Sequence, residues 1–148
     1  LATAVLRLWP EAKLGIGPPT AEGFYYDFDL ERRFSPEDFE AIEAEMKKVV
    51  KENQTFERST KTRDEAKAFF EERGQSFKVE RLADIPEDEE ISFYQNGEFV
   101  DLCAGPHVMR TRNVKAYKLL RVAAACRMVP HSLRCPAFQC ASWHTREQ

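Results

Sequence analysis

Apolar positions recur along most of this chain with two periods, and those periods divide it into helices and strands. Leu1, Val5 and Leu8 fall at helical spacing and predict the last turns of a helix that Pro10 stops. Lys13 to Ile16 predicts a short strand. From Gly23 to Leu30, Phe24, Tyr26, Phe28 and Leu30 alternate with Tyr25, Asp27 and Asp29, the pattern of a strand with one apolar face. Ser35-Pro36-Glu37-Asp38 opens a helix, with Ser35 as N-cap, Pro36 at the first helical position and acids in the first turn. Its buried stripe is Phe39, Ile42, Met46, Val49 and Val50. A second helix begins at a capping box of Thr62 and Glu65 and ends at Gly74. Phe77 to Leu82 alternates as a strand, and the acidic, proline-bearing run from Asp84 to Glu90 reads as a surface loop. Tyr94 to Phe99 predicts two strands joined by an Asn96-Gly97 turn. Asn113 to Ala125 fits helix and strand equally well.

Strands separated by two capped helices predict an α+β fold, an antiparallel sheet with helices packed mainly on one face. No repeat or low-complexity tract divides residues 1–125, which read as one domain. Residues 126–148 carry no helical or strand period and are predicted to be an irregular tail.

A length of 148 residues suits one domain with a real core. No apolar run approaches the ~20 residues needed to span a bilayer, and no basic-then-apolar leader opens the chain, so a soluble, cytoplasmic protein is expected. The four cysteines, Cys103, Cys126, Cys135 and Cys140, show no tight paired framework, which predicts reduced thiols. The net charge of −3 hides an asymmetry: residues 102–148 carry eight Lys or Arg against one acid, Glu147. Contact with nucleic acid is therefore admissible, local to Arg110, Arg112, Lys115, Lys118 and Arg121. A solvated basic face fits the same charges.

The densest candidate chemistry is Asp101-Leu102-Cys103-Ala104-Gly105-Pro106-His107, a carboxylate, a thiol and an imidazole within seven residues. Asp101 and Cys103, two apart on a strand, project from one face, and Gly105-Pro106 turns His107 round beside them. A hairpin end with a buried Cys and a capping Asp would use the same residue types. Gly15-Ile16-Gly17 lacks the third glycine and the following helix of a dinucleotide loop and reads as a turn. Cys103-x3-His107 offers two zinc ligands where zinc needs three or four, and Cys135-x4-Cys140-x3-His144 lies in the patternless tail, so no native metal site is expected.

The stretches Leu8-Trp9-Pro10 through Lys13-Leu14-Gly15-Ile16-Gly17-Pro18, Gly23-Phe24-Tyr25-Tyr26-Asp27, Ser76-Phe77-Lys78-Val79, and Phe99-Val100-Asp101-Leu102-Cys103-x-Gly105-Pro106-His107-Val108 together carry a resemblance. In order and spacing they resemble the editing domain of bacterial-type threonyl-tRNA synthetases, over residues 1 to about 125. The resemblance implies hydrolysis of mischarged seryl-tRNA(Thr). A pocket sized for threonine rejects serine, one methyl smaller, by only roughly 10–200-fold, so a second site must destroy the error. It also implies site residues: His107 and Lys78 for water activation and charge stabilisation, Asp101 to orient water or the amino group, Cys103 lining the pocket, and Tyr26 and Asp27 at the substrate. The editing site of such a domain works without zinc or another cofactor. ATP and Mg belong to a ligase domain elsewhere, tRNA(Thr) is the partner, and the full ligase is expected to be a homodimer. A His-x3-His helix that completes the family site is expected just ahead of Leu1, and the likeness stops after Ala125, so impaired editing is expected. Two other readings stand beside this one: a tRNA acceptor-stem binding module without catalysis, and a free-standing zinc-dependent deacylase like the alanyl relatives.

Overall fold

The computed structural model describes residues 1–20, 23–125 and 138–143. The chain forms two compact units, residues 1–47 with 116–148, and residues 48–115. The first opens with α1 (Ala2–Leu8), which buries Ala2, Ala4 and Val5 and whose Trp9 caps the end through a hydrogen bond to the Val5 carbonyl. Then come β1 (Lys13–Leu14), β2 (Pro19–Thr20), β3 (Gly23–Phe24) and β4 (Asp27–Asp29). The strand predicted from Gly23 to Leu30 is thus two strands, because its halves have different partners: β3 pairs with β2 in a hairpin and β4 with β1. Tyr26 sits at the break. A Cβ on Gly17 would collide with the Tyr26 ring, so that glycine serves close ring-to-backbone packing.

α2 (Asp38–Lys51) follows, and its last turn passes into the second unit. Helical geometry begins at Asp38, two residues after the expected start at Pro36. Ser35 is tied to this start by its backbone: the Asp38 carboxylate accepts the Ser35 backbone N–H at 2.8 Å and holds Arg32 at 2.6 Å, which keeps its pKa below the usual carboxylate range. Of the predicted stripe, Ile42, Met46 and Val49 are buried, while Phe39 and Val50 are half-buried.

The second unit is a three-stranded antiparallel sheet ordered β5 (Phe56–Lys61), β6 (Ile91–Asn96), β7 (Phe99–Leu102), with α3 (Arg63–Glu72) and α4 (Ser76–Ala83) between β5 and β6 in the chain. Thr62 and Glu65 form the reciprocal capping box, and Gly74 takes φ +64° beyond the C-cap. Thr62→Ala is expected to cost about 1 kcal/mol in a urea unfolding experiment, the usual worth of such a cap. Ala66, Phe70, Leu82, Ile91 and Phe93 are the core, with Phe69, Val79, Val100 and Leu102 packed on it, so both helices lie on one sheet face. The α+β architecture is as predicted.

Two local expectations are corrected here. Phe77 to Leu82, predicted as a strand, is helix α4: Lys78 and Leu82 are the buried pair at i and i+4, a helical repeat that outweighs the brief alternation of Phe77 and Val79. The hairpin turn centres on Gly97-Glu98, one residue later than Asn96-Gly97. Asn96 is held in the strand by its pairing with Phe99 and by donating from Nδ2 to Gln54 Oε1 at 2.7 Å, leaving Gly97 at φ +59° as the first turn residue.

After a 3-10 turn at Thr111–Asn113, β8 (Leu119–Ala125) returns to the first unit and settles the ambiguous segment as a strand there. β9 (Phe138–Trp143) corrects the expectation of a wholly irregular tail. It pairs antiparallel with β8 and β4, giving a sheet ordered β1-β4-β9-β8. Residues 126–137 and 144–148, which include Cys126, Cys135 and His144, lie outside the described residues.

Candidate active site

The face of the β5-β6-β7 sheet opposite the helices is set by register. Tyr94 pairs with Arg58 on one side and Asp101 on the other, so these three share a face, while Phe93 and Leu102 share the face turned to the core. Asp101 therefore projects from the edge strand β7, away from the apolar core. Lys78 on α4 reaches it, placing Nζ 2.8 Å from Oδ1 and 3.0 Å from Oδ2. Both residues are buried, Lys78 to 4% and Asp101 to 8% exposure, and the Leu102 N–H donates to Asp101 Oδ1 at 2.8 Å. A charge pair so enclosed is held to one geometry.

Beyond β7 the ladder continues through the Cys103 N–H, which donates to the Ser92 carbonyl at 3.1 Å, and the Ser92 hydroxyl donates to the Cys103 carbonyl at 2.6 Å. Gly105 takes φ +74°, and a Cβ there would strike the Tyr94 hydroxyl. The Gly105-Pro106 peptide is cis. This path brings His107 back over the sheet, with Nε2 3.1 Å from Cys103 Sγ, and the Gly105 N–H donates to the same sulfur at 3.3 Å. The spacing alone left this thiol–imidazole contact open.

Phe56 stacks on the His107 ring at 5.2 Å and 13°, and Tyr94 lies against it at 4.4 Å and 47°. The two rings lie against the imidazole, and His107 as a whole remains exposed to solvent. Desolvation lowers the His107 pKa below its ordinary 6.5, and the nearby Asp101 charge opposes that shift without cancelling it. The shift favours the neutral form of the imidazole.

Lys78, Asp101, Cys103 and His107 are thus gathered in the second unit. Tyr26 and Asp27 lie in the first. Tyr26 stacks on Phe28 at 4.9 Å, and burial raises the Asp27 pKa. The basic residues are likewise divided: Arg110, Arg112 and Lys115 are exposed in the second unit, and Lys118 and Arg121 are exposed in the first, where Lys118 pairs with Glu43 at 3.0 Å. Sequence reasoning missed Phe56 and Tyr94 as site residues. Tyr94 faces Asp101 only because the turn falls at Gly97-Glu98, since a turn at Asn96-Gly97 would set Ser92 opposite Asp101; Phe56, far away in the chain, had no signal. Among the described residues no group of three or more His, Cys, Asp or Glu is arranged to hold a metal ion. No helix among them is long and apolar enough to cross a membrane.

A family model for the threonyl and alanyl tRNA synthetase second additional domain matches residues 91–129, the stretch that contains β6, β7 and the Cys103–His107 turn. The threonine–tRNA ligase of Carboxydothermus hydrogenoformans is 61% identical over 125 residues, covering 84% of this chain. Those of Acetivibrio thermocellus and Clostridium novyi are 59% and 58% identical over the same length. The chain spans about a fifth of the length of these relatives, 20% in each case.

Proposed function

The chain belongs to the threonine–tRNA ligase family through its second additional domain, and on that premise we propose that this segment hydrolyses the ester of mischarged seryl-tRNA(Thr). The observation that carries the reading is the His107 imidazole, favoured in its neutral form, exposed to solvent and 3.1 Å from Cys103, within the field of the buried Lys78–Asp101 pair. A neutral imidazole can take the proton of a water attacking the seryl ester carbonyl and return it to the leaving ribose oxygen. Cys103 shares its sulfur with His107 and the Gly105 N–H, a position suited to lining the pocket that admits the seryl side chain. Lys78, enclosed and bound to both Asp101 oxygens, acts through that carboxylate, which it fixes where it can orient water or the substrate ammonium.

Incubating the chain with seryl-tRNA(Thr) and, as control, threonyl-tRNA(Thr) tests this. Faster release of serine than of threonine is the expected result. A folded chain that releases neither, yet binds tRNA with strong salt dependence, would replace hydrolysis with the binding-module reading. In either case phosphate contact by the exposed Arg110 and Arg112 is expected to show in binding titrations. Replacing each by Ala should weaken tRNA binding and lower the slope of log affinity against log salt by about 1.

A further inference from the structure

His107 stands at the end of a turn with no secondary structure of its own, and what fixes its ring comes from two other strands. Phe56 at the start of β5 lies nearly parallel to it, and Tyr94 on β6 packs against it at an angle. Tyr94 also abuts the turn itself, because its hydroxyl fills the space a Cβ on Gly105 would need. The same residue thus holds both the ring and the backbone that carries it. We propose that Phe56 and Tyr94 clamp the His107 imidazole and that Tyr94 is a positioning residue for the hydrolysis, an inference that rests on the hydrolytic role of His107 given above.

Among the described residues, the titratable groups beside His107 are Asp101 from β7, Cys103 from the turn and Tyr94 from β6, and Tyr94 is paired across the ladder with Arg58 on β5, which holds Glu90. None of them supplies a hydrogen bond that would hold the ring plane as the two aromatic faces do, other than the single contact with Cys103. Aromatic packing is tolerant of sliding along a face but not of loss of the face, so ring shape matters here more than the phenol group.

The test compares Tyr94→Leu, Tyr94→Phe and Phe56→Leu in the full chain, by deacylation kinetics and by NMR titration of the His107 ring. Tyr94→Leu is expected to lower kcat on the order of 10²-fold with KM little changed, the scale of a misplaced reacting group. Its His107 titration midpoint should rise towards the ordinary value as one covered face meets water, and Tyr94→Phe should restore both. Phe56→Leu should act in the same direction and supplies the test if Tyr94→Leu does not fold. A His107 titration that Tyr94→Leu and Phe56→Leu both leave in place overturns the clamp, as does a change confined to KM. A parent chain without deacylase activity would overturn the hydrolytic reading instead, and the ring titration alone would then decide whether the clamp exists.

Discussion

Replacing His107 with Gln is expected to slow release of serine from seryl-tRNA(Thr) by ~10²–10⁴-fold, the usual contribution of a positioned general base. Glutamine keeps much of the side-chain volume and cannot accept the proton. Cys103→Ala is expected to cost far less, because the thiol lines the pocket; comparable losses in the two variants would point to a Cys103 nucleophile with His107 as its base. The pH profile supplies an independent check. Since burial holds His107 below 6.5, the acid limb of kcat/KM should fall below that pH, and His107→Gln should abolish the limb along with the rate. Stability carries the same sign. Between the ordinary and the lowered pKa the unfolded chain binds more protons than the folded one, so stability falls as pH drops through that window and is fully recovered above 6.5. A stability that instead grew as the pH fell would mean that the folded state prefers the imidazolium, and the base role would fail.

How far the site could be read from the sequence depended on whether its residues are close along the chain. The Thr62–Glu65 capping box was legible because its partners lie within one turn, and it appears as reciprocal hydrogen bonds. Asp101, Cys103 and His107 were legible as a cluster for the same reason, but the conformation of Gly105-Pro106 decided whether thiol and imidazole meet. Lys78 is instructive in another way. The resemblance points to this residue while the local pattern points to a strand, and the structure places it on helix α4. The period was ambiguous because Phe77 and Val79 begin an alternation while Val79 and Leu82, three apart, fit a helical stripe, over so few residues. Asn96-Gly97 failed by one position because a distant partner, Gln54, held Asn96 in the strand. Phe56 could not be seen at all, since nothing local ties a residue on β5 to a turn beyond β7.

The buried Lys78–Asp101 pair leads to the largest expected loss of stability. Replacing Asp101 with Leu leaves the Lys78 ammonium enclosed at 4% exposure without its counter-charge, and removing one member of such a pair costs ~3–5 kcal/mol. Lys78→Met should cost a similar amount, because it removes the ammonium that Asp101, 8% exposed, pairs with through both oxygens. The double variant Lys78→Met with Asp101→Leu is expected to recover most of the loss, since two buried apolar side chains need no counter-charge. Urea midpoints followed by far-UV circular dichroism decide this, and single variants as stable as the parent would show that the pair is solvated and not enclosed. The stable double variant then separates fold from chemistry. With the sheet and the His107 turn intact, a loss of serine release would place the function of Lys78 and Asp101 in the reaction itself, where a fixed carboxylate orients water for the imidazole. Retained release would reduce the pair to a strut for β7 and leave His107 to act with its aromatic neighbours alone.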